Sequence, residues 1–96
     1  MIIKIKDYAG TFAENKDKAK EIRTKILVPA LDKKQEITID FQGIDATTQS
    51  FTHALLSDII RKYDDKTINL ISFKNCNENV KKVITIVFDY TQEAER

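Results

Sequence analysis

Glycine and proline are nearly missing from this chain, which has two glycines, Gly10 and Gly43, and one proline, Pro29, in 96 residues. That scarcity leaves no room for low-complexity tracts or long linkers and predicts a chain that is mostly regular secondary structure. Cysteine occurs once, at Cys76, so no intramolecular disulfide can form. An excess of charge is missing too. Sixteen basic residues stand against fifteen acidic ones, a formal net charge of +1, and no global field draws the chain toward nucleic acid or an anionic membrane. No apolar run approaches the ~18 to 20 residues needed to cross a bilayer. The opening MIIKIKDYAG lacks the apolar core and cleavage pattern of a signal peptide, so the expectation is a cytoplasmic protein with no membrane insertion. At 96 residues, the chain is expected to be one domain, residues 1–96, with one modest core.

Constellations that carry chemistry are just as thin. One histidine, His53, and one cysteine in unrelated segments make no metal-ligand set, and neither GxGxxG nor GxxxxGK[ST] occurs. No metal, nucleotide or other cofactor is expected. A hydrolytic triad would need His53 as its base, but His53 stands four residues before Ser57 with no orienting acid evident in sequence. An enzyme would require a polar pocket joining Asp40, Ser50 and His53, and no catalytic residue is expected. Lys16, Lys20 and Arg23 form a basic stripe interrupted by Glu14, Asp17 and Glu21, which reads as a solvated helix face rather than a nucleic-acid patch. Cys76 reads as a half-buried thiol without a redox role.

What is present is a clear alternation of patterns. MIIKIK carries Ile2, Ile3 and Ile5 and suits a short strand. From residue 11 to about 27, Phe12, Ala19, Ile22 and Ile26 fall at roughly helical spacing, and Pro29 is expected to end or kink that helix. EITIDF alternates Ile37, Ile39 and Phe41 against Thr38 and Asp40, a second strand closed by Gly43. Phe51, Leu55 and Ile59 form one stripe of a second helix running to about residue 63, with Ala54 beside it. DDK breaks it, and TINLISF reads as the third strand. KNCNEN follows as a turn whose asparagines tolerate left-handed backbone and can cap a helix. VKKVITIVF suits a strand by its β-branched content, yet Val80, Val83, Ile84 and Val87 recur at helical spacing; period and capping together favour helix. The order β-α-β-α-β-α predicts an α/β domain with a mostly parallel or mixed sheet, right-handed crossovers and helices packed on it. Functional residues in such sheets usually lie just beyond the carboxyl ends of the strands.

DATTQSFTHALL, residues 45–56, occupies such a position. Thr47, Thr48 and Ser50 precede an apolar helical stripe, and an N-cap there satisfies amides that the first turn leaves unpaired, contributing ~1 kcal/mol. The same unpaired amides and the positive dipole end favour a phosphate, whose charge would change the surface that a partner meets. Capping and regulation are compatible.

ITIDFQGIDATTQSFTHALL resembles the central segment of STAS domains of the anti-sigma factor antagonist type. In those domains an apolar strand ending in Asp and a Gly-apolar pair precede a D-S-[ST]-G phosphoacceptor motif at a helix start. The likeness is closer to a family of small STAS-like proteins in which DF.G, here Asp40, Phe41 and Gly43, precedes TQSF, here Thr48, Gln49, Ser50 and Phe51. INLISFKNCNENVKKVI is similar to that family's strand, Asn-rich turn and closing helix, so the likeness is strongest over residues 36–86. It implies a non-enzymatic regulatory module for signalling that docks on a histidine-kinase-like ATPase, the type of partner that phosphorylates STAS antagonists. On a gapless alignment Thr48 stands at the motif's Asp and Gln49 at its phosphorylated Ser. Ser50 holds the next hydroxyl, and Phe51 replaces Gly. Gln49 cannot accept a phosphoryl group, so Ser50 and Thr48 are the residual phosphoacceptor candidates. The resulting expectation is partner binding by Asp45, Thr47, Thr48, Gln49 and Ser50. The alternative is a structural homo-oligomer, which an exposed apolar face on the last helix would favour.

Overall fold

The computed structural model describes residues 1–94, with side chains described through Thr91. Three parallel strands make the sheet, β1 (Ile2–Lys4), β3 (Ile37–Asp40) and β5 (Ile71–Lys74), in the order β1-β3-β5. Ile2 stands opposite Thr38, and Ile37 opposite Ile71. Both crossings step across the sheet in the same direction, so crossovers of one hand place the connecting helices on one face. The helix packing agrees: α4 (Gln49–Lys62) lies between α2 (Lys16–Ile22) and α6 (Glu78–Ala94). The row Ile3, Ile39 and Phe73 faces this helical layer, while the alternate row Lys4, Asp40 and Lys74 points the other way. The chain is thus a single compact α/β domain in which helices cover a small parallel sheet.

The core forms where the strand and helix periods predict. Ile3, Ile39 and Phe41 from the sheet region meet Phe51, Leu55 and Ile59 of α4, all nearly or fully buried. Val80 and Ile84 of α6 close the cluster. The last element is a helix and extends beyond the periodic segment in both directions. Among the described residues no helix is long and apolar enough to cross a membrane.

Three boundaries differ from the sequence reading. The first is the start of the first long helix, which lies at Lys16 rather than residue 11. Asn15 caps it, its Oδ1 accepting the N–H groups of Asp17 at 2.9 Å and Lys18 at 3.2 Å. Residues before the cap form α1 (Lys6–Ala9) and β2 (Phe12–Ala13), and β2 pairs in parallel with β4 (Ala46–Thr47). Phe12, which falls on the helical stripe by spacing alone, is 49% exposed.

The second is Pro29, which does not end the helix. A π-helical turn (Arg23–Leu27) joins α2 to α3 (Val28–Asp32), with the Val28 N–H reaching back to the Arg23 carbonyl. A wider turn moves the carbonyl of the preceding turn away from the pyrrolidine ring, and Pro29 then sits at the first positions of the resumed α register, where its missing N–H costs little. Arg23, in the wide turn, donates to the mid-helix carbonyl of Ala54 at 2.7 Å and so ties this segment to α4.

The third concerns TINLISF, which does not begin as a strand. Asp64 caps a short helix, α5 (Asp65–Ile68), by accepting the Thr67 N–H at 2.8 Å, and β5 begins only at Ile71.

Candidate functional site

The end of β3 turns sharply into the segment that leads to α4. The Ile44 N–H closes a turn on the Phe41 carbonyl at 3.0 Å, and Gly43 takes φ +79° within it. A Cβ at Gly43 would lie 2.8 Å from Cδ of the flexible Lys6 side chain, which can move aside, so it is the positive φ that restricts the position to glycine.

Beyond this turn the loop is held from two sides. On one side the Asp45 N–H donates to the Thr11 carbonyl at 2.7 Å, and the Thr48 N–H to the Ala13 carbonyl at 3.1 Å. The Thr47 hydroxyl donates to the same Ala13 carbonyl at 2.8 Å. On the other side stand the asparagines that follow β5. Asn77 donates through Nδ2 to the carbonyls of Ile44 (3.1 Å) and Asp45 (2.9 Å), while its Oδ1 caps α6 by accepting the Val80 N–H at 2.9 Å. Asn79 Oδ1 accepts the Thr47 N–H at 3.0 Å. Asn75, at φ +58°, donates to Asp40 at 2.9 Å. The sequence marks these asparagines as turn and cap formers; their alternate spacing is the only hint that they also brace a segment some thirty residues earlier.

The expected partner-binding residues therefore separate by orientation. Asp45, Gln49 and Ser50 are exposed. Thr48 is half-buried and is the N-cap of α4, accepting the Phe51 N–H at 3.1 Å. Thr47 is buried and anchors the loop from beneath. Of the three hydroxyls, one is an anchor, one a cap, and Ser50 alone stands exposed.

Asp40, on the central strand, is flanked in register by Lys4 and Lys74. The Asn75 amide, then the Gln42 N–H at 2.9 Å, hold its carboxyl below the usual carboxylate range, with smaller help from the two lysines and opposition from burial. A depressed folded-state pKa contributes stability that is present above the ordinary value near ~3.9 and is lost as pH falls through the lowered one. Wild type should lose urea resistance on acidification below about pH 4 more steeply than Asp40→Asn, which keeps an acceptor oxygen but cannot ionise. Parallel acid profiles for the two proteins would show that Asp40 has no part in acid sensitivity.

A cleft of about 450 Å³ opens beside the start of α4, where Gln49, Ser50, His53 and Ala54 line one part of it. Lys16 at the start of α2 and Ile86, Val87 and Tyr90 on α6 line the rest. Ser50 and His53 thus share a space, and Asp40 is not among its lining residues. His53 instead directs Nδ1 toward the Ser57 hydroxyl of its own helix at 3.5 Å. Lys16 and Tyr90 were not distinguishable in sequence from other surface residues, because their proximity to Ser50 comes only from the packing of α2 and α6 on α4. Cys76 is half-buried, and burial pushes its thiol pKa up, which makes it a poorer nucleophile.

No curated protein and no solved structure matches this chain. The model of the STAS-like domain of unknown function (DUF4325) matches residues 18–81. That span runs from α2 through β3, the braced loop and α4 to the first turn of α6, and it takes in every residue of the candidate surface. By this match over more than half its length, the chain belongs to the STAS-like DUF4325 family.

Proposed function

We propose that this chain is a non-enzymatic regulatory interaction module, resembling anti-sigma factor antagonists, that docks on a histidine-kinase-like ATPase through the end of β3 and the start of α4. One observation carries the reading: Asp45, Gln49 and Ser50 stand exposed on a segment whose backbone is tied down by β2 on one side and by Asn77 and Asn79 on the other. A surface held in place before binding loses less conformational freedom when a partner seats on it. The choice of partner rests on the resemblance of the loop and helix start to STAS antagonists, which dock on such ATPases. Ser50 is the better phosphoacceptor of the two candidates, since its side chain is exposed while the Thr48 hydroxyl is engaged in the cap. A phosphate on Ser50 would lie in the first turn of α4, where the helix dipole favours negative charge.

The test separates the hydroxyls. Thr48→Ala should lose about 1 kcal/mol of stability through the cap, read by urea unfolding. Ser50→Ala should leave stability unchanged and reduce recovery of the ATPase in a pull-down from native lysate, with intact mass on the bait reporting any phosphate. Undiminished recovery by a folded Ser50→Ala/Thr48→Ala double variant would move the docking surface elsewhere, and recovery of no ATPase by wild type would remove the reading.

A second reading, structural self-association, has its own observation. Ile86 and Tyr90, one turn apart on α6, are 38% and 64% exposed. Solution mass across a dilution series decides it, and a monomer at every concentration would exclude it.

A further inference from the structure

The cleft between the starts of α2 and α4 and the flank of α6 has chemistry of its own. Its volume of about 450 Å³ falls in the range of small-ligand sites. Ala54, Ile86 and Val87 give it apolar surface, Lys16 gives it a cation, and among the described residues no carboxylate lines it. Lys18 and Lys25, in the same helical segment, both pair with Glu21, whereas the Lys16 ammonium makes no ion pair with any described residue. His53 has Nδ1 directed at Ser57, which leaves its Nε2 edge for another partner.

An apolar wall beside one unpaired cation selects a particular kind of molecule. A cationic ligand would meet Lys16. A polyphosphate calls for several cations where one is provided, and a wholly apolar ligand would leave Lys16 unused. One anionic group on an apolar body satisfies both halves of the lining.

We propose that this cleft is a binding site for a small amphipathic carboxylate, its apolar body against Ala54, Ile86 and Val87 and its carboxylate paired with Lys16 beside His53. The site goes beyond the docking reading and is tested on the isolated chain, so either idea can fail while the other stands.

The experiment is two-dimensional amide NMR of the full chain, titrated with three acid–amide pairs: hexanoate and hexanamide, 3-phenylpropionate and its amide, and naphthalene-1-acetate and its amide. At least one acid should give saturable shifts concentrated at residues 49–54 and 86–90, with its amide about tenfold weaker, the equivalent of one modest ion pair. Lys16→Met should abolish the preference for acid over amide. Ile86→Glu, at an exposed position where folding is not at stake, should weaken the acid more than the amide. The proposal is overturned if no acid saturates below about 10 mM, if acid and amide bind alike, if the shifts centre elsewhere, or if Lys16→Met retains the acid preference.

Discussion

Phe51→Ala should destabilise the domain by about 3–5 kcal/mol, the usual range for emptying a buried phenylalanine site. Phe51 is fully buried and belongs to the central cluster, and its N–H is the group that Thr48 caps. The expected loss is a large share of the ~5–15 kcal/mol that holds a typical domain, so the variant should be partly unfolded at room temperature or lose most of its urea midpoint. Phe51→Leu, which refills much of the volume, should recover over half of the loss. In STAS antagonists the corresponding position is Gly, so the comparison also measures what this chain gains from a large side chain there. A loss under about 1 kcal/mol for Phe51→Ala would mean that α4 is held by its other apolar residues and that the first turn is dispensable to the core.

Asn77→Ala is expected to cost about 2–3 kcal/mol, from one helix cap and two side-chain bonds to backbone carbonyls. The more telling effect is local. With the Nδ2 donor gone, the carbonyls of Ile44 and Asp45 lose their tie to α6, and the segment carrying Asp45 to Ser50 should loosen. Amide hydrogen exchange at Asp45 and Thr47 should accelerate beyond what the global loss of stability produces. Asn77→Asp separates the two roles: it keeps an acceptor for the Val80 N–H and places negative charge at the start of α6, but it cannot donate to the loop. It should retain most of the stability while exchanging as fast as the alanine variant. Equal exchange in Asn77→Asp and wild type would show that the bonds to Thr11, Ala13 and Asn79 hold the loop without Asn77.

Legibility in the sequence followed the strength of each local signal. β3 and α4 could be read because their periods are unambiguous over several residues and Gly43 and Thr48 punctuate them. α6 could be read as a helix despite its β-branched residues because four apolar positions agreed in phase and an asparagine stood ready to cap it. β2 and β4 could not be read, since two residues carry no period, and Phe12 happens to fall in phase with the helix that follows. Pro29 misled because the rule that proline ends a helix assumes regular α register, and the π turn at Arg23 removes that assumption. At the candidate site, the hydroxyls were legible as a group but not individually. Only tertiary contacts decide that Thr47 meets the Ala13 carbonyl while Ser50 meets solvent. That Lys16 and Ser50, on two different helices, line one cleft left no trace in the linear pattern.

The placement of β3 at the centre of the sheet orders events during synthesis. A strand pair between residues as distant as Ile2 and Thr38 has to wait for the intervening helix to leave the ribosome, and the pair between Ile37 and Ile71 has to wait as long again. Until α6 follows, the flank of α4 that it covers has no cover, and the loop before α4 lacks Asn77 and Asn79. The surface proposed for partner recognition therefore takes its shape only after the start of α6 has been made. A chain halted before α6 would present greasy surface to chaperones and no finished surface to a partner.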